Sequence, residues 1–441
     1  MARSTFIRAL ICIISGLLCL HCARSSAGEP ERFELENGLR VILRPISTAE
    51  EVAVVTLYSI GGDHDPEGRS GMAHLVEHVY ITAAAGSTPP CTSVDFQARY
   101  PDGWNAQTGT RYTVLATVVP SDSLENELQD AANRMGNLNI AEPDLNREKP
   151  RIVAELGNMF EGIPFLAAFH SASERAQPSP LGGRKAGLPD HVNAVTVEEL
   201  QSRWQRYYKP RNAILVVAGG FEPATARRLI NELFSNIVPG EPIPPPYTQG
   251  AARLGGMEEI RVKPRREDAP SQVCVVYRAP YPNDDLYPAF LILAARLKSN
   301  TSKLGVTEGR YTVSYTALDY PEVIGVTVPG AGGETSEETV ERLRDFVADT
   351  IERELEPFDA TTTKDAYGLL LGLADIPDRV LAKNPYGVAF SLGRRDQLGI
   401  DSEKLAEAVE AVTDADLRRA AKEHFVPERS AAVAIIPEET S

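Results

Sequence analysis

The chain has 441 residues, 43% hydrophobic and 24% charged, a balance that excludes wholesale disorder and leaves room for two or more domains. Its formal charge of −16 at pH 7 argues against nucleic acid and anionic membrane surfaces as partners.

The first segment reads as an export signal. Arg3 and Arg8 precede the almost unbroken apolar run 9–20, and Ser25-Ser26-Ala27 supplies the small residues of a cleavage site. The run is short for a bilayer span, so residues 1–27 are expected to be removed. With them go Arg3, Arg8 and Arg24, which takes the charge from −16 to −19. No later apolar stretch reaches spanning length. Cys12, Cys19 and Cys22 also lie in this segment. Cys91 and Cys274 remain, outside any Cys-x-x-Cys spacing, and two unpaired thiols are expected rather than a disulfide framework.

After the signal, 32–35, Asn37-Gly38 and 39–43 form a hairpin pattern with its turn residues in place. A strand follows over 51–60, then a glycine- and acid-rich loop from Gly61 to Arg69, and a helix from Gly71 to about Thr82. Alternating apolar residues predict a strand over 111–119, and two helices are expected near 124–138 and 143–159. Irregular alternation of strands and helices suits α+β rather than a doubly wound sheet.

A seam comes at Val238-Pro239-Gly240-Glu241-Pro242-Ile243-Pro244-Pro245-Pro246, a proline density that reads as a stiff extended linker. The parts it separates resemble each other. Thr196 to Leu200, the proline at 210 and the apolar run 213–218 recur as Thr413 to Leu417, the proline at 427 and the run 431–436, with identical Thr-to-Leu and Thr-to-Pro spacings. Each copy reads as N-cap, helix, proline stop and strand. Val54–Ile60 before the helix at 71 is matched by Val273–Tyr277 before a helix around Leu291. The expected organisation is a signal peptide (1–27), an N-terminal domain (28–238), a Pro-rich linker (239–252) and a homologous C-terminal domain (253–441).

The chemistry concentrates in His74-Leu75-Val76-Glu77-His78. Histidines four apart on a helix share a face and reach one ion, while Glu77 stands beside it as a general base. This His-x-x-Glu-His order is the inverted zinc motif of a peptidase class. Its plain alternative is two surface histidines on an amphipathic helix.

With these residues the chain resembles the pitrilysin/insulinase family of metallopeptidases. In that family the third ligand is a glutamate 77 positions after the second histidine, and here that position is Glu155. A supporting glutamate seven residues earlier matches Glu148, two helical turns away on the same face. Asn105-Ala106-Gln107-Thr108 resembles the family's Asn-Ala-x-Thr segment, which makes Asn105, Ala106 and Thr108 substrate-binding candidates on a strand that pairs with peptide. The resemblance implies two homologous α+β domains with antiparallel-rich sheets, forming a half-clamshell. It also implies one Zn²⁺ per chain on His74, His78 and Glu155, with Glu77 and Glu148 as catalytic residues.

Two departures stand out. Self-sufficient members carry an arginine and a tyrosine in the second half. Tyr311 fits the tyrosine, but the arginine position holds Leu304, beside Lys303, and Arg310 has the wrong spacing. The implied function is therefore a zinc endopeptidase for short or unfolded peptides, acting with a homologous partner that supplies the Arg/Tyr pair, or as a homodimer. The alternative is a non-catalytic binding or assembly subunit. The second departure, Pro150 between Glu148 and Glu155, is expected to kink the helix or mark its restart. Location is expected to be the periplasm, or outside the cell.

Overall fold

The Asn37-Gly38 pair turns the chain between β1 (Glu31–Glu34) and β2 (Arg40–Pro45), with Gly38 at φ +85°, a conformation glycine adopts without strain. The computed structural model describes residues 30–101, 103–162, 164–177, 187–246, 252–262, 270–300, 312–316, 320–330, 333–353 and 382–438. The first half continues with β3 (Glu51–Tyr58), α1 (Met72–Thr82), β4 (Ala84–Ala85), α2 (Ser93–Arg99), β5 (Trp104–Thr108) and β6 (Thr113–Pro120). Then come α3 (Leu124–Gly136), β7 (Leu138–Asn139), α4 (Glu142–Gly162), α5 (Pro164–Ala176), α6 (Pro189–Ala194), α7 (Val197–Tyr207), β8 (Ala213–Gly219) and α8 (Pro223–Phe234). The second half holds β9 (Met257–Val262), β10 (Gln272–Arg278), α9 (Tyr287–Asn300), β11 (Thr312–Thr316), β12 (Tyr320–Pro329) and α10 (Ser336–Arg353). It ends with α11 (Pro385–Leu398), α12 (Ser402–Glu410), α13 (Asp414–His424) and β13 (Ser430–Pro437).

The first sheet runs β1-β2-β8-β3-β6-β5 and the second β11-β12-β10-β13-β9, while β4 and β7 form a small separate pair. Five strands correspond one to one. β2-β8-β3-β6-β5 repeats as β9-β13-β10-β12-β11, with the β2–β8 and β9–β13 pairs parallel and the others antiparallel. The repeated threonines cap alike. Thr196 accepts from the Glu199 amide (3.2 Å) and Thr413 from that of Asp416 (3.3 Å), and each carboxylate accepts the threonine's own amide in return. The fold is α+β, built from two copies of one arrangement.

Alternation sends strand residues to opposite faces. On one face of the first sheet Val41, Val54, Leu115 and Val217 pack against α1, α3, α7 and α8. On the other, Ile42, Val55, Val114 and Val216 meet Val388, Ala389 and Leu392 of α11, a helix from the second half. The exchange is mutual. Ala167, Ala168, Phe169 and Ala172 of α5, from the first half, cover Cys274, Val276, Ala431 and Val433 of the second sheet. A Cβ at Gly325 would come 2.7 Å from the Phe169 ring, so that strand position admits no side chain.

The helix does not restart at Pro150. α4 runs through it, and Pro150 lies on the exposed side, where the bond its missing N–H forfeits is left to water. The start of the Pro-rich stretch is extended and tied to the first half. Arg211 donates its amide to Pro239, Glu241 its amide to the Arg206 carbonyl, and Asn212 its Nδ2 to the Glu241 carbonyl. Both thiols are free, Cys91 half-buried and Cys274 buried.

Candidate metal centre

α1 starts where a buried carboxylate collects its first amides. Asp65 accepts from Gly71 N (2.8 Å), Ala73 N (3.0 Å) and Arg203 Nη2 (2.8 Å). Burial pushes the Asp65 carboxyl up to about 6, against the pull of Arg203 and these amides. His64, read as a loop residue, is buried beside it. Its Nδ1 accepts from Gly61 N at 3.1 Å, and burial brings it down to about 4.

From this start α1 turns Leu75, Val76 and Val79 into the core and His78 towards a cleft, with His74 against the His78 ring. The imidazoles meet edge to face, centroids 4.8 Å apart, and both are largely buried. α4 packs against α1 and brings in Glu155, whose Oε2 lies 3.6 Å from His74 Nε2 and 3.4 Å from His78 Nε2. Ligands bonded to a tetrahedral zinc at about 2.0–2.1 Å stand about 3.3 Å from one another. Glu155 thus stands from each imidazole at a ligand-to-ligand spacing that one such ion fits. The ligand-capable atoms of His74, Glu77 and His78 also lie within 4.8 Å of one another.

The electrostatics favour a cation there. Burial alone would lower the His78 imidazole, but Glu148 on Nδ1 and Glu155 on Nε2 raise it to about 9. Glu155 is held below the usual carboxylate range, chiefly by its bond to His78. Glu148 is 1% exposed, with Oε2 3.2 Å from His78 Nδ1 and Oε1 accepting from Arg147 Nε at 2.8 Å. Burial pushes its carboxyl up, yet His78 and Arg147 together hold it low. A carboxylate accepting from Nδ1–H fixes the tautomer that leaves Nε2 as the donor atom.

Glu77 is buried, and its Oε2 accepts from Thr108 Oγ1 at 2.6 Å. Thr108 closes β5, the outermost strand of the first sheet; among the described residues nothing pairs with its free side. Ala106 and Trp104 pack towards the core, whereas Asn105 donates its Nδ2 to Tyr386 Oη at 2.6 Å, on α11. Beside the metal site lies a cleft of about 620 Å³ whose wall includes Ile81, Val94, Gln97, Trp104 and Arg151. Tyr311, Arg310, Lys303 and Leu304 lie outside the described residues. Arg147, Thr108 as partner of Glu77, and Tyr386 were not foreseen in these roles. Arg147 adjoins Glu148 in sequence and carried a signal; Tyr386 carried none.

The fold is the one seen in pitrilysin-like structures, and His74, His78 and Glu155 meet within it. The chain is similar to the peptidase M16 family over part of its length. The family model described as "Peptidase M16 inactive domain" matches residues 194–359, a stretch that leaves His74 to Glu155 outside it. Zinc protease PqqE of Helicobacter pylori is 27% identical over 249 residues, 54% of this chain and 54% of that protein, so the chain matches about half the length of this relative. A protease structure from Helicobacter pylori superposes with TM-score 0.76 at 20% identity, covering 93% of this chain and 99% of that one. The periplasmic protease PqqL of Escherichia coli superposes with TM-score 0.67 at 16% identity, over 93% of this chain but 48% of that one. Among the described residues no helix is long and apolar enough to cross a membrane.

Proposed function

We propose that this protein is a zinc endopeptidase that hydrolyses short or unfolded peptides and forms the zinc-bearing part of a two-part enzyme. The observation that carries this reading is the approach of Glu155 Oε2 to both imidazole Nε2 atoms, from a helix distant in sequence. His74, His78 and Glu155 would hold one Zn²⁺ per chain. A zinc ion so held is a Lewis acid that polarises a carbonyl and lowers the pKa of a water to about 7. Glu77 takes the proton of the attacking water and passes it to the departing amine nitrogen. Thr108 holds one Glu77 oxygen and leaves the other for that proton. Glu148 acts through His78, fixing its ring and tautomer. The free edge of β5 adds an extended peptide to the sheet, which selects unfolded chains whatever their sequence.

A partner is supported by size and by the incomplete pair. The chain matches 48% of PqqL, a protein about twice as long, and its arginine position is Leu304. The partner would supply the Arg/Tyr pair. Export to the periplasm is supported by the apolar run 9–20 and by the periplasmic description of PqqL.

The test is metal content together with cleavage of an unstructured peptide, with and without chelator. Glu77→Gln is expected to keep zinc and lose hydrolysis; turnover retained in that variant would falsify its role. The "inactive domain" description of the matched family model favours a second reading, a non-catalytic subunit. Bound zinc with no cleavage by the chain or by any mixture with a homologous partner would establish that reading instead.

A further inference from the structure

We propose that Tyr386, contributed by the second half, positions the peptide-binding edge of the first through its hydrogen bond to Asn105. The inference rests on the reading of β5 as the strand that receives substrate. β5 is five residues long and hydrogen-bonded to a neighbour strand, β6, on one side only, so its backbone is held by the sheet from that side alone. Its side chains point alternately to two faces. On the metal side, Thr108 bonds Glu77. Asn105 bonds Tyr386 Oη at 2.6 Å, on the helix that covers the opposite face.

That helix is itself fixed. Tyr386, Phe390 and Arg394 follow one another at four-residue spacing along one side of α11. The Phe390 ring lies 6.3 Å from that of Tyr112, and the Arg394 guanidinium stands 3.9 Å over the Tyr112 ring. Gln397 donates to the Arg111 carbonyl (3.0 Å) and Asp396 pairs with Arg40 (2.6 Å). These contacts anchor the turn joining β5 to β6 and the far side of the sheet. Tyr386 extends the same line of contacts to the other end of β5. The strand is thereby held before peptide arrives, and a held strand loses less freedom on pairing. Tyr386 is a positioning residue: it acts through Asn105, and its effect belongs to peptide affinity.

The experiment uses the full-length zinc-loaded Glu77→Gln protein and a fluorescein-labelled unstructured peptide, read by fluorescence anisotropy. Tyr386→Phe is expected to raise Kd about three- to tenfold, the range of one hydrogen bond. Asn105→Ala should do the same from the other partner, and the double variant should be no weaker than either single one. Zinc content and melting temperature stay unchanged in Tyr386→Phe. Without the Glu77 substitution, Tyr386→Phe raises KM by the same factor and leaves kcat within about twofold. An unchanged Kd in Tyr386→Phe, additive effects in the double variant, or no peptide binding by the Glu77→Gln protein each overturns the proposal. Binding with the expected losses, but no cleavage by the native chain alone or with a partner, would sink the hydrolase reading and leave this one standing.

Discussion

Glu148 shows how much of the metal centre depends on a side chain that never faces the ion. Its carboxylate is almost fully buried between His78 and Arg147. Glu148→Ala should therefore weaken zinc binding about 10- to 100-fold, as measured by competition with a chelator, while the protein stays folded. Glu148→Gln keeps the shape and an acceptor oxygen, and is expected to fall between. Affinity unchanged in both variants would remove Glu148 from the centre. At this scale legibility follows sequence distance. His74, Glu77 and His78 declare themselves because one helix fixes their spacing. Glu155 has no local mark and was found only through the resemblance. The Asn105 contact with Tyr386 joins residues 281 apart, and no pattern in either segment announces it.

The helix carrying the two histidines begins on a buried network of His64, Asp65 and Arg203, and this gives its start an acid sensitivity. His64 is brought down to about 4 by burial, below its ordinary 6.5, so the folded chain prefers it neutral. The unfolded chain then binds more protons between those values. The His64 contribution is intact above pH 6.5 and is lost as pH falls towards 4, on the order of 3 kcal/mol in all. Asp65, pushed up to about 6, acts in the opposite sense, so the comparison is what counts: urea midpoints of the metal-free protein should fall more steeply, or rise less, from pH 7 to 4.5 than those of His64→Asn. Parallel curves for the two proteins would refute this. Among elements, the strands and capped helices were legible because turns, caps and the repeat mark them. α5 and α11 were not. Each has its sheet partner in the other half of the chain, so the face it buries cannot be inferred from its neighbours. Pro150 marks no restart, since an exposed position in a long helix tolerates the bond it removes.

For the whole molecule, the duplication could be read from two matched segments about 217 residues apart, and the shared strand order follows from it. The exchange of helices could not, because a repeat says that two units are alike and nothing of how they interlock. Each sheet has one face closed by a helix from the opposite half. Removing either helix would strip an apolar layer whose burial is worth about 25 cal/mol per Å².

The mutual clasp makes the proline seam a joint of minor mechanical importance. A protease site placed in 242–246 and cut after folding should leave two pieces that travel as one particle in gel filtration and part only in denaturant. Two separate peaks in native buffer would show that the covalent tether, and not the traded helices, keeps the protein whole.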